Sequence, residues 1–280
     1  MLRMSVPSVS WDQSVKECKD GIERNTVLLK KLEDGAGELA DIAENYRSLG
    51  IAGNLFTVPQ ASIGDPIIAA NLRKSEFINL YEYYLRGKHP GRAVYDSLLN
   101  SANGQCPFCG GIGRPRNLDH FMPKAHFPQF SILPLNLIPC CWECNMDGKG
   151  ENFARVAKDQ FIHPFLDNTR FFNEQWIFAT YNLGLAGEPN SMSYYTKFPS
   201  YWTQTDKDRA KNHFETFDLA KRYKVFAGPA LVEIEAQMNS CLKKMDMHSF
   251  KEAVLQSAID AAPFANYWKR VMCISLIETL

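Results

Sequence analysis

Two short cysteine pairs, Cys106-Pro-Phe-Cys109 and Cys141-Trp-Glu-Cys144, constrain this chain more than any other feature, because two CxxC turns brought together offer four thiolates to one ion. Pro107 and Gly110 flank the first pair and favour the tight turn that points two sulfurs the same way. Four thiolates suit tetrahedral Zn²⁺, and four protein ligands leave no open position, so the ion is structural and any chemistry must come from other residues. Cys140 beside Cys141 leaves the register of the second pair open by one position; the CxxC spacing favours Cys141, with Cys140 a small buried residue. Of the 8 cysteines, Cys18, Cys241 and Cys273 stand apart in helix-like sequence without partner spacing. A disulfide framework would spread its cysteines over a smaller chain, so the clustering indicates metal ligands in a reducing, cytoplasmic compartment.

The chain has 280 residues, enough for one or two cores, and its 45% hydrophobic and 12% aromatic content excludes a mainly disordered protein. No apolar run approaches the roughly 20 residues of a bilayer span, and the segment from Met1 to Trp11 lacks a signal-peptide core, so no membrane partner is expected. The formal net charge is +0, unusual for a protein that holds phosphates by charge alone. Locally, Arg86, Lys88, Arg92, Arg114, Arg116 and Lys124 face only Asp96 and Asp119 in sequence, which suits either a phosphate-binding surface or an ordinary solvated face.

Along the chain, Ser10 with Gln13 resembles a helix start, and Val15, Cys18, Ile22, Leu29 and Leu32 recur at helical spacing until Asp34-Gly35-Ala36-Gly37. Leu39, Ile42, Tyr46 and Leu49 resume the pattern, predicting a helical hairpin. Helices are also predicted around 77–85 and 93–99. A strand is predicted at 176–181, a largely helical stretch over 206–243 broken near Gly228-Pro229, and a helical tail over 250–280.

Between the cysteine pairs lie Leu118-Asp119-His120-Phe121-Met122-Pro123-Lys124 and Asn136-Leu137-Ile138-Pro139, and Asn145 follows the last cysteine. This order resembles the HNH, or ββα-metal, endonuclease family. The resemblance extends over 86–167, where Gly91-Arg92, Tyr95-Asp96, Phe127-Pro128 and the run Phe161-Ile-His163-Pro-Phe-Leu-Asp167 look like HNH proteins of bacterial anti-phage defence, including the Septu-type nuclease partners of an ATPase. It implies Asp119 and Asn145 as ligands of one catalytic Mg²⁺ or Mn²⁺, His120 as the general base that activates water, and Asn136 as the residue that fixes the loop and helps orient that histidine. Many members carry histidine where this chain has Asn145. Lys124 and Lys149 are candidate contacts to substrate phosphate, and the His163-Pro pair reads either as a packed turn or as a residue that contacts phosphate or supports the site from behind.

The expected architecture is mainly α. Helical flanks over 1–100 and 168–280 enclose a small ββα-metal module over 101–167, held by a structural zinc on Cys106, Cys109, Cys141 and Cys144. The expected function is metal-dependent hydrolysis of nucleic-acid phosphodiesters, with DNA as the substrate and an ATPase as a partner. The alternatives are a zinc-stabilised adaptor without catalysis and a nuclease directed at RNA. Histidine, carboxylate and amide are the right residue types for the catalytic reading, since neutral imidazole accepts protons near neutral pH and hard oxygen ligands favour Mg²⁺ or Mn²⁺.

Overall fold

The computed structural model describes residues 1–185 and 187–280, and divides them into two compact units, Arg3–Asp167 and Asn168–Leu280 with Met1–Leu2. Both are mainly helical with small antiparallel sheets. No helix among the described residues is long and apolar enough to cross a membrane.

The Arg3–Asp167 unit begins with α1 (Trp11–Asp20), whose N-cap Ser10 accepts a hydrogen bond from the Gln13 amide, and α2 (Thr26–Asp34), capped in the same way by Asn25 through the Leu28 amide. The pattern expected to run as one helix is therefore divided. Gly21 ends the first segment, and Asn25 satisfies the free amides of a new helix start. Next come α3 (Ala36–Ile51), the two-stranded pair β1 (Ile67–Ala69) and β2 (Leu72–Arg73), then α4 (Lys74–Asn79), which widens into a π-helical stretch over Leu80–Leu85. α5 (Gly91–Asn100) leads towards the first cysteine pair.

Two strands then define the middle of the unit. β3 (Asn117–His120) pairs antiparallel with β4 (Leu137–Cys140), Asp119 opposite Ile138 and His120 opposite Leu137. A further π-helical turn, Glu143–Lys149, follows directly. All four residues of β4 are buried, and Leu118, Ile132 and Leu137 belong to the same apolar core as Cys18, Leu28, Phe77 and Leu98. The expected boundary at 100–101 thus lies inside one continuous core. Each large aliphatic side chain fully buried here contributes about 1.5–3 kcal/mol, so the strands rest on the helices and do not form a free-standing module.

In the second unit, α6 (Arg170–Asn173) precedes β5 (Ile177–Asn182), which pairs in register with β6 (Ser191–Thr196). α7 (Gln204–Thr216) and α8 (Leu219–Cys241) follow, with α8 packed on β6. The break expected at Gly228-Pro229 falls instead at Asp218, whose backbone is left-handed with φ 48°. Pro229 is exposed and lies four residues after Val225, itself 65% exposed, so the residue whose carbonyl loses its N–H partner is on the exposed side of the helix, and α8 continues. The tail holds α9 (Met247–Phe250), α10 (Ser257–Asp260) and α11 (Trp268–Thr279), with α11 against β5.

Candidate metal centre and adjoining cleft

The sulfurs of Cys106, Cys109, Cys141 and Cys144 all lie within 4.8 Å of one another, and all four residues are buried. A tetrahedral zinc with Zn–S bonds of about 2.3 Å sets its sulfurs about 3.8 Å apart, and Cys109 Sγ to Cys141 Sγ is 4.0 Å. The donor set therefore fits a zinc ion. The first pair sits in a loop closed by the Cys106 amide on the Gly113 carbonyl and the Gly111 amide on the Cys106 carbonyl, both at 2.9 Å. Gly110 and Gly111 supply left-handed backbone at φ 64° and 87°. Gly113 leaves the space the sulfurs occupy, because a Cβ there would come within 2.7 Å of Cys141 Cβ and collide with its sulfur. Cys140 stands outside the set of four, which fixes Cys141 as the donor.

Beside this centre an open cleft of about 350 Å³ is lined by residues of β3, the π-helical turn and the stretch before α5, among them Asp119, His120, Asn145, Lys124, Arg86 and Tyr81. Asn145 adjoins Cys144, and its amide donates to the Cys141 carbonyl at 3.0 Å, so the thiolate cluster and the cleft share one backbone segment. His120 Nε2 lies 2.9 Å from the Ser131 carbonyl, which only accepts; Nε2 therefore carries the proton. Among the described residues no group takes Nδ1. Burial, reinforced by the charges of Lys124, Lys149 and Arg86, pushes the His120 pKa down to about 3, so the ring is neutral near pH 7. Burial pushes the Asp119 carboxyl up to about 6 against the opposing pull of Lys149.

Lys149 is fully buried, where an exposed contact to substrate phosphate was expected. Its ammonium lies 3.3 and 3.2 Å from the two Asp119 oxygens and donates to the His120 carbonyl at 2.7 Å and the Gly150 carbonyl at 3.3 Å. It is an internal counter-ion. Asp119 Oδ2 is buried and, despite the nearby charge, makes no hydrogen bond. His163 likewise fails the phosphate role. It is 0% exposed, its amide donates to Asp167 Oδ2 at 2.6 Å, and its ring packs 4.3 Å from Phe121. Lys124 does line the cleft, one-third exposed, 3.4 Å from Glu82 and above the Tyr81 ring.

Asn136 is buried outside the lining of the cleft, and none of its side-chain hydrogen bonds goes to His120. Its side-chain oxygen accepts from the Met122 amide at 2.7 Å, and its Nδ2 donates to the carbonyls of Met122 and Phe130, both at 3.1 Å, closing the loop between β3 and β4. Of the six cations expected to form a basic surface over 86–124, four are paired and two, Arg114 and Arg116, stay exposed. Arg86 and Lys124 share Glu82, Lys88 meets Glu23 at 2.8 Å, and Arg92 meets Asp96 at 2.8 Å. Sequence reading missed Tyr46, whose hydroxyl reaches Asn136, and Ser14, which is bonded to the Ile132 carbonyl. The one available signal was a polar tip within an apolar helical stripe, which needs a partner when buried.

Fold and centre together define a mainly helical protein with a buried four-cysteine cluster that fits a zinc ion, beside a polar cleft. The chain is 38% identical to Protein ea31 of Escherichia phage lambda over 286 residues, covering 97% of this chain and 95% of that protein, and it belongs to the ea31 family. No family model matches the chain, and no solved structure does.

Proposed function

We propose that the Arg3–Asp167 unit is an HNH-type endonuclease that hydrolyses phosphodiester bonds, with DNA as its substrate. The observation that carries the reading is the convergence of Asp119, His120 and Asn145 on one cleft, supplied by an antiparallel strand pair and the helical turn after it. The four-cysteine zinc is structural, holding the turn that bears Asn145.

In this reading His120 is the general base. The Ser131 carbonyl holds Nε2–H and leaves the Nδ1 lone pair to take a proton from water. A base with a pKa of about 3 is weak, and the cations Lys124, Lys149 and Arg86 are part of the reason. A phosphodiester in the cleft opposes those charges and raises the basicity of His120 when substrate is present. Asp119 Oδ2, buried without a hydrogen bond, and the Asn145 amide are hard oxygen donors suited to one Mg²⁺ or Mn²⁺. Such a metal, when bound, supplies Lewis-acid stabilisation of charge on the scissile phosphate and leaving oxygen. Lys124 and Arg86 offer the backbone phosphates a partly neutralised pair of cations.

The test is nicking of supercoiled plasmid, beside cleavage of a structured RNA, by the purified chain with Mg²⁺ or Mn²⁺. Nicking abolished both by EDTA and by His120→Ala, at unchanged zinc content, is expected. RNA cleavage alone would replace the DNA reading. Absence of both would favour the adaptor alternative. Arg86 and Lys124, the two open cations lining the cleft, share Glu82, which supports a further proposal, that a partner such as an ATPase supplies nucleic-acid affinity in an anti-phage setting. Cleavage no faster with the partner than without it would end that proposal.

A further inference from the structure

The motif His163-Pro-Phe-x-Asp167 and the buried Tyr46 have no place in the chemistry above, yet a chain of hydrogen bonds links them to the Phe130 carbonyl, one residue before the Ser131 carbonyl that holds His120. His163 Nδ1 accepts from the Phe165 amide at 3.2 Å, so the ring proton sits on Nε2, which is 3.2 Å from the Tyr46 hydroxyl. With its oxygen accepting from His163, Tyr46 donates its own proton to Asn136 Oδ1 at 2.9 Å. That oxygen also takes the Met122 amide, while Asn136 Nδ2 holds the Phe130 carbonyl. The next two carbonyls are engaged as well: Ser131 accepts from His120 Nε2 at 2.9 Å, and Ile132 accepts from Ser14 Oγ at 2.7 Å. Three successive carbonyls are thus pinned, the outer two by groups from the interior and the central one to His120. Tyr46, Ser14, Asn136 and His163 are all fully buried.

We propose that Tyr46 and His163, acting through Asn136, together with Ser14 are positioning residues for His120: they fix the Phe130–Ile132 backbone so that the Ser131 carbonyl holds the imidazole with Nδ1 towards the cleft. The direction of each proton in the chain follows from the acceptor at its end, so the arrangement is single-valued. Tyr46 lies on α3, 90 residues from Asn136, and His163 lies 117 residues from Tyr46, so the loop is referenced to two distant parts of the unit. Its edge-on packing against Phe130, with ring centroids 4.7 Å apart, lets a phenylalanine keep the volume while losing only the hydroxyl.

This inference rests on the nuclease reading for its kinetic consequence but not for its structural one, and the experiment separates the two. Tyr46→Phe and Ser14→Ala are compared with wild type and with Tyr84→Phe, a buried tyrosine outside the chain. Histidine ring ¹⁵N spectra of the zinc-loaded protein report the His120 tautomer without any assay of activity. Wild type and Tyr84→Phe are expected to show a single Nε2–H form, and both loop variants a mixture of the two tautomers. In the plasmid assay, the loop variants are expected to lose about tenfold to a hundredfold in kcat with KM little changed, the scale of a misplacement of about 1 Å at the reacting group. An unchanged His120 spectrum in both variants overturns the proposal, even if their melting temperatures fall. Altered spectra with kcat unchanged would overturn the catalytic consequence, and altered spectra in a protein that cleaves nothing would uphold the positioning while removing the nuclease reading.

Discussion

Lys149 and Asp119 illustrate how much of a residue's role is decided by where the chain buries it. Breaking a buried pair by removing one partner costs about 3–5 kcal/mol, whereas replacing both by apolar groups is often close to neutral. Lys149→Met is therefore expected to destabilise the unit by about that amount, and Lys149→Met with Asp119→Leu to recover most of it, as read from urea midpoints of the four-variant cycle. Additive losses would show that the two charges are not coupled. A second expectation concerns His120, which binds a proton near pH 6.5 in the unfolded chain and only near pH 3 when folded. Between those values the unfolded state holds more protons, so this group's contribution is full above pH 6.5 and is lost as the pH falls. Asp119, with a folded pKa of about 6, has the opposite sign, contributing fully below its unfolded value near pH 3.9 and losing that contribution as the pH rises towards 6. From pH 7 to pH 5, wild type should lose about 2 kcal/mol more than His120→Asn, since roughly 1.5 units of that titration are crossed; equal losses in urea titrations would refute the neutral, buried imidazole. The cysteine set was legible because CxxC spacing is itself the geometry of a metal site. Lys149 was misread as accessible because residue type alone does not report burial, the packed-turn reading of His163 agrees with its burial, and Tyr46 was hidden because its partner is 90 residues away.

Elements were legible where local chemistry ends them and obscure where it does not. Ser10 marks the start of α1 through its own hydroxyl, and the helix over 93–99 follows from apolar spacing alone. The division between α1 and α2 was invisible because the apolar stripe continues across Gly21 and Ile22, and β6 was missed although Met192 and Tyr194 alternate inward with Ser193 and Tyr195, because that alternation spans only six residues. Pro229 misled in the other direction. A proline in a helix costs about 3 kcal/mol relative to alanine in the interior of a host helix, yet α8 runs from Leu219 to Cys241, with Pro229 and Val225, whose carbonyl loses its partner, both on the exposed side of the helix. Pro229→Ala is accordingly expected to keep the helix in place and raise stability by about 1–3 kcal/mol, measurable as a higher denaturation midpoint. A decrease would mean that the proline's rigidity in the unfolded chain outweighs the restored hydrogen bond.

At the scale of the whole molecule, a zinc held by the four cysteines would share with the apolar core the work of holding the candidate site. In small zinc-binding peptides, the metal supplies about 10–16 kcal/mol and the apo form is unfolded. That limit does not transfer here, because Leu118, Ile132 and Leu137 of the hairpin and its loop are buried among α1, α2, α4 and α5. The cysteines secure only the parts the core does not reach, the glycine-rich loop after Cys106 and the turn that carries Asn145. The Asn168–Leu280 unit contributes none of the four thiolates and has its own sheet under α8 and α11. Chelation of the tightly held zinc should therefore abolish any cleavage while leaving most of the far-ultraviolet helix signal, and hydrogen exchange should locate the damage. Peptides spanning 104–116 and 141–150 are expected to lose protection, whereas those of α1, α5, β5, β6, α8 and α11 keep it. Loss of protection throughout Arg3–Asp167 would assign the metal the role it has in a zinc finger, and loss in both units would mean that neither core is self-sufficient. Protection unchanged at 141–150 would show that the metal does not hold Asn145, and the nuclease reading would then have to find the support for its second ligand elsewhere.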